Sequence, residues 1–304
     1  MQATSDQALL PTNPSFAGHQ TFALRAGWLK KGIDALGDPE DEGATPFLRD
    51  DAIVALGVGK NMVQSIRHWL LVTGMARLAG RDLEPTELGT ALFGSPTTDG
   101  WDPYLEDPAS LWLLHWRLAG PAGAAFSWVW TFNCCREYEF SRASLADSIL
   151  AAATGYVAKT PSRETVMRDV ECLLHTYAMP PVSSVGDELD CPLRNLGLIE
   201  HSYERLYRFR TGPKPHLPQG VFLYALCDYW RWRQADGPVS LWELAYAEGS
   251  PGAVFKLDED SLLEYLDRTD GQTFIFEDTP QVRHVRLVAD APPDPLEVLR
   301  SYYV

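Results

Sequence analysis

Apolar residues between Ala52 and Gly74 recur at helical spacing and do not alternate. Ala52, Ile53, Val54 and Leu56 form a short apolar run that ends at Gly57-Val58-Gly59. Beyond it, Val63, Ile66 and Leu70 fall on one face of a second helix, and Asn61, Gln64, Ser65 and His68 on another. The pattern then shortens. Met75 to Leu78, the turn Ala79-Gly80-Arg81-Asp82, and Leu83 to Pro85 predict a hairpin. Thr86 is placed to cap a further helix over Glu87 to Phe93. Helix, turn, helix, hairpin, helix is the order of a winged helix-turn-helix.

The same grammar returns twice. Thr160-Pro161 predicts a helix start, with Val166, Val170, Leu173, Leu174 and Tyr177 as its apolar stripe and Met179-Pro-Pro181 as its end. Cys191 to Ile199 leads into a hairpin expected over His201 to Arg210. Pro213-Lys-Pro-His-Leu-Pro218 reads as a stiff connector, and Val221 to Arg233 as an aromatic-rich helix. A third unit combines Leu241 to Tyr246, a helix over Asp258 to Asp267, and paired strands at Thr273–Phe276 and Val282–Val288. The expected class is α+β, mainly α with short β-hairpins, built from several winged helix-turn-helix-like modules. The expected divisions are 1–100, 101–235 and an acidic 236–304.

Charge sharpens this picture. The 304-residue chain has a formal net charge of −15 and a pI near 4.8, which disfavours non-specific binding of nucleic acid over its whole surface. Yet Ala52–Arg81 contains Lys60, Arg67, Arg77 and Arg81 and no acid. A second basic island spans Tyr203–Arg233, with Arg205, Arg208, Arg210, Lys214, Arg231 and Arg233 against Glu204 and Asp228. Five cysteines without a two-residue-spaced pair point to a reducing compartment and away from a structural zinc site. The N-terminus has no signal-peptide pattern, so a cytoplasmic protein is expected. His115, Arg117 and Gly120-Pro121 interrupt the apolar stretch Leu111–Phe132, which is read as buried helices and not as a membrane span.

The candidate chemistry is mostly that of DNA contact. Asn61 and Gln64 can address adenine edges, with Ser65 and His68 beside them. Lys60, Arg67, Arg77 and Arg81 suit phosphates, as do Arg208, Arg210 and Lys214. Phe16-Ala-Gly-His19-Gln-Thr-Phe22-Ala-Leu-Arg25-Ala-Gly-Trp28-Leu-Lys30-Lys31 adds Arg25, Lys30 and Lys31. The alternative for that run is packing of its aromatics on the first module. Trp230 and Trp232 beside Arg231 and Arg233 read as packing residues. Gly57-Val-Gly-Lys60 lacks the spacer and the Lys-Ser/Thr pair of a phosphate loop, so no nucleotide cofactor is expected. Glu164, Arg168, Glu171 and His175 share a helix face, with Asp169 to its side. Intrahelical pairing is the simplest account, and a divalent metal or proton transfer is the alternative.

Several of these strings resemble one bacterial family, the SspB-like proteins formerly called a domain of unknown function. The resemblance rests on Phe16–Lys31, Leu56-Gly-Val-Gly-Lys-Asn-Met62, Asp169 to Tyr177, Asp190-Cys-Pro-Leu193 with Leu196-Gly-Leu-Ile199, and Gly212-Pro-Lys-Pro215. It implies a role in single-stranded DNA phosphorothioation and anti-phage defence. The implied partners are DNA, a cysteine desulfurase, an ATPase and an ATP-pyrophosphatase-like enzyme, with no membrane. It also implies a nicking endonuclease, with a divalent metal, magnesium or manganese, or else arginines to stabilise the developing charge. No catalytic motif transfers residue by residue. Asp169 and Glu171 are the candidate catalytic carboxylates, and a non-catalytic recognition subunit is the competing reading. The oligomeric state is open, a homodimer being one option.

Overall fold

The computed structural model describes residues 8–12, 14–37, 46–49, 51–179, 191–203, 205–234, 237–269, 271–279 and 282–304. The first unit contains α1 (Trp28–Leu36), α2 (Ala52–Leu56), α3 (Lys60–Val72), β1 (Ala76–Ala79), β2 (Asp82–Pro85) and α4 (Glu87–Phe93). Gly57 closes α2 in the left-handed region at φ 60°, a conformation available to glycine at little cost. That turn lets α3 start three residues later. Val63, Ile66, Trp69 and Leu70 of α3 are buried, and α3 packs on α1 through Gly32, where an added Cβ would meet Leu70 at 2.6 Å. β1 and β2 are antiparallel, with Ala79 opposite Asp82 across the turn Gly80-Arg81. Thr86 caps α4, its hydroxyl accepting from the Gly89 amide at 3.1 Å.

The middle of the chain supplies α5 (Pro108–Ala119), α6 (Phe126–Asn133), β3 (Glu139–Ser141), α7 (Arg142–Ala153), α8 (Arg163–Tyr177), a 3-10 turn at Pro192–Leu196, β4 (Ile199–His201) and β5 (Leu206–Phe209). Ser162, rather than Thr160, caps α8, its hydroxyl accepting from the Thr165 amide. Proline at 161 therefore precedes the helix. Tyr177 ends α8; Pro180 and Pro181, read as its terminators, lie outside the described residues, as do Asp190 and Glu204. The stretch Leu111–Phe132 forms the buried helices α5 and α6, and no described helix is long and apolar enough to cross a membrane.

The C-terminal elements are α9 (Gln219–Arg233), β6 (Val239–Ser240), α10 (Leu241–Tyr246), α11 (Pro251–Phe255), α12 (Glu259–Asp267), β7 (Phe274–Thr279), β8 (Val282–Leu287) and α13 (Pro295–Tyr303). α13 packs along α9. α9 also packs on α5 and α11, and the Trp116 indole of α5 donates to Asp228 of α9 at 2.8 Å.

Two of the sheets share one topology. In the middle sheet the strand order is β3-β5-β4, and in the C-terminal sheet β6-β8-β7, all antiparallel. In both, a short strand precedes the helices and pairs with the last strand of the hairpin. The hairpins were readable from alternation; the short strands were not, because their partners lie far along the chain. Among the described residues the first unit has only its two-stranded hairpin. One hydrophobic core runs through all three units, so the chain is α+β with helices dominant and small sheets at its margins.

Candidate nucleic-acid interface

The exposed face of α3 is rotated from the one that spacing predicted. Lys60, Asn61 and Gln64 are exposed and Arg67 is half-buried, with no ion-pair or hydrogen-bond partner among the described residues for any of their side chains. Ser65 is fully buried, and its hydroxyl donates to the His19 carbonyl at 2.9 Å. It therefore cannot reach a base edge. His68 is half-buried against Gly18, where an added Cβ would lie 2.5 Å from the imidazole Nδ1. Burial, reinforced by the neighbouring His19, pushes its pKa down to about 4, so His68 is neutral at neutral pH. Its Nε2 is buried without a hydrogen-bond partner among the described residues. The polar stripe is thus Lys60, Asn61, Gln64 and Arg67. Ser65 and His68 belong to the flank that residues 16–22 cover.

That covering loop has an unusual backbone. Ala17, Gln20 and Thr21 have φ of 58°, 51° and 69°, a region that costs non-glycine residues of order 1 kcal/mol or more each. What holds it there is a buried clasp. Asp169 on α8 accepts from the Ala17 amide at 2.5 Å and the His19 Nε2–H at 3.0 Å on one oxygen, and from the Ser127 hydroxyl at 2.8 Å on the other. The Thr21 amide donates to His19 Nδ1 at 3.0 Å, which leaves the ring proton on Nε2. The Phe22 carbonyl then accepts from Trp69 Nε1 on α3 and from Cys172 Sγ on α8.

Ser127, His19 and Asp169 are the residue types of a nucleophilic triad in a different order. The carboxylate is central here and takes the serine hydroxyl and the histidine on separate oxygens, so the imidazole is not placed to act as base on the hydroxyl. Asp169 is 4 % exposed. Glu171, two residues on, projects outward and pairs with Arg142 at 2.8 Å, each side chain about half exposed. The structure does not bring the two candidate carboxylates together. Nor does it show the intrahelical pairs expected on α8: Glu171 reaches α7. Among the described residues no three His, Cys, Asp or Glu side chains converge as metal ligands.

The other basic candidates divide by environment. Arg25 lies over the rings of Phe22 and Trp28, 5.5 Å from each centroid. Lys30 pairs with Asp34, and Lys31 donates to the Leu56 carbonyl at 3.0 Å. Arg77 pairs with Glu84 across the hairpin at 2.6 Å while 71 % exposed, a pairing weak enough to exchange for a phosphate. Arg81 stands exposed at the turn. In the second island, Arg208 is held by Glu200 at 2.7 Å and Arg210 is exposed. Lys214 is a correction: it is 6 % exposed, and its ammonium donates to the carbonyls of Arg210, Gly212 and Lys256. It is a buried backbone tie and not a phosphate ligand. Trp230 packs on Phe274 with ring centroids 5.2 Å apart, and Arg233 pairs with Glu243 at 3.1 Å.

Charge sets α3 apart from α12. α3 contains no acid, whereas α12 contains Glu259, Asp260, Glu264 and Asp267 and no base. A groove of about 680 Å³ opens beside α3, lined by Pro14, Ser15, Phe47, Gln64, Arg67 and Leu71 among others.

Taken together, the fold and this surface define a protein of repeated helix-and-hairpin units with one helix face free of acid. The chain belongs to the family described as "Protein of unknown function (DUF4007)", which matches residues 16–303. The fold is that of SspB. The structure titled "Magnesium ion-bound SspB crystal structure" aligns with a TM-score of 0.83 at 31% sequence identity, covering 98% of this chain and 90% of that one. A second structure, "SspB crystal structure", aligns with the same score and identity over 97% and 89%. No curated protein matches the chain.

Proposed function

We propose that this protein is a DNA-binding component of a phosphorothioate-modification system, engaging duplex DNA through α3 and the β1–β2 hairpin as a winged helix-turn-helix. One observation carries the reading. In a chain of net charge −15, the helix after the turn presents Lys60, Asn61, Gln64 and Arg67, all uncommitted, and no carboxylate. Amide side chains suit base edges, and the lysine, Arg67, Arg77 and Arg81 suit phosphates. The likeness to SspB supports the pathway, with a desulfurase, an ATPase and an ATP-pyrophosphatase-like enzyme as partners in the cytoplasm. Fluorescence anisotropy with labelled duplexes tests it. Binding should weaken steeply with salt and fall on Lys60→Ala and Gln64→Ala, and no binding at low salt would reject it.

Strand nicking is the second reading, supported by the likeness to a magnesium-bound SspB structure. Asp169 does not fit a metal ligand here, because three donors already occupy its oxygens inside the core. Glu171 alone offers magnesium one exposed carboxylate, and hard divalent cations take oxygen ligands of this kind. Conversion of supercoiled plasmid to open circles with magnesium or manganese tests this reading. Failure of pure, DNA-binding protein to nick would leave the recognition role standing alone.

A further inference from the structure

The groove beside α3 contains features that duplex contact does not use. Two of its polar members, Gln64 and Arg67, belong to the same stripe that faces DNA in the reading above, and this inference rests on that reading. Its remaining lining sets apolar walls, Pro14 from the N-terminal segment, Phe47 ahead of α2 and Leu71 from α3 itself, beside the polar Thr12, Ser15 and His68. The clasped loop fixes the shape. Gly18 is pressed against the imidazole of His68, and Ala17 and His19 are tied to Asp169. A volume of about 680 Å³ lies within the range of small-molecule sites and is open on one side.

Each element suits one kind of guest. Apolar walls take a planar heterocycle by stacking, and a neutral imidazole at the edge adds to that surface. Gln64 offers an amide donor and acceptor for the polar edge of a base. Arg67, half-buried and without a partner among the described residues, offers a guanidinium to the phosphate that comes with it. Bases inside an intact duplex are stacked and paired and cannot enter a cleft beside the helix.

We infer that this groove receives an unpaired nucleotide of DNA, lifted from the stack next to the site where α3 binds. A base so held would leave its strand locally unpaired.

Two fluorescein-labelled duplexes of the same sequence test this, one fully paired and one containing a single bulged thymidine. The wild-type protein should bind the bulged duplex about tenfold more tightly, within what one stacked base contributes. Ser15→Trp places a ring in the groove from an exposed position off α3. It should abolish the preference while leaving affinity for the paired duplex unchanged. Arg67→Gln should reduce the preference to about twofold, and thermal melting of both variants checks that they are folded. Equal wild-type affinity for the two duplexes overturns the inference, as does a preference that survives in folded Ser15→Trp protein. Absence of binding to either duplex would instead reject the DNA reading on which it stands.

Discussion

The imidazole Nε2–H of His19 donates to Oδ1 of Asp169 at 3.0 Å, joining positions 150 residues apart in sequence. Both side chains are buried, and the carboxylate also takes the Ala17 amide and the Ser127 hydroxyl. Asp169→Ala would strand three buried donors under a loop with three left-handed residues. The expected loss is about 3 kcal/mol or more of folding stability, at about 1 kcal/mol or more for each donor left unpaired. Urea unfolding measures it. A catalytic Asp169 would instead give an inactive variant of unchanged stability.

Ser65 and Gln64 are adjacent in sequence and should behave oppositely. Ser65→Ala removes the bond to the His19 carbonyl and should cost about 1 kcal/mol of stability, with base discrimination kept. Gln64→Ala should leave the melting temperature unchanged and weaken preferred over random DNA. Equal loss on both DNAs would show that Gln64 reads no base.

Arg81 and Lys214 make a second contrast. Arg81→Ala should weaken all duplexes alike and shallow the salt slope by about 1. Lys214→Met should lower stability, because the carbonyls of Arg210 and Gly212 lose the ammonium and that of Lys256 keeps the Gly212 amide alone. A variant with weakened DNA binding and an unchanged melting temperature would contradict that assignment.

Acid should destabilise the fold through two histidines. Burial holds His68 at about 4 and His115 at about 3, the latter with Nδ1 on the Tyr177 hydroxyl and Nε2 on the Val254 carbonyl. In the unfolded chain both take protons near pH 6.5. Between about 6.5 and 4 the unfolded state therefore binds more protons, and stability falls as pH falls. The urea midpoint should drop across this window, and less steeply for His68→Gln than for wild type.

Lys256 acts with the same sign at higher pH. Its ammonium lies 4.1 Å from the Phe209 ring centroid and donates to the Phe132 carbonyl, and burial lowers its pKa to about 7. Between about 7 and 10.5 the unfolded chain keeps a proton that the folded one has released. Wild-type stability should therefore rise relative to Lys256→Met as pH increases through that range, as read by paired denaturant titrations.

Local grammar made much of this architecture readable. The break at Gly57, the hairpin about Gly80-Arg81 and the Thr86 cap each depend on residues within a few positions of one another, and each lies where the pattern put it. Long-range partners were not readable. β3 joins β5 across more than sixty residues, and Ser65 looked like a surface position until residues 16–22 covered it. Helical spacing gives a face but not what packs there. Lys214 shows the same limit: a lysine in a proline-rich connector reads as solvated, and only the folded chain wraps its carbonyls around it. The aromatics of Phe16–Lys31 offered packing as one of two readings of the run, beside phosphate contact, and nothing in its residue types revealed the clasp.

The Phe22 carbonyl serves two masters, Trp69 on α3 and Cys172 on α8. A loop bonded to one helix could be peeled away while the other stayed dressed. Here one oxygen is shared, so moving it strains a bond to each helix at once. A shift of that oxygen toward either helix is therefore felt by the other.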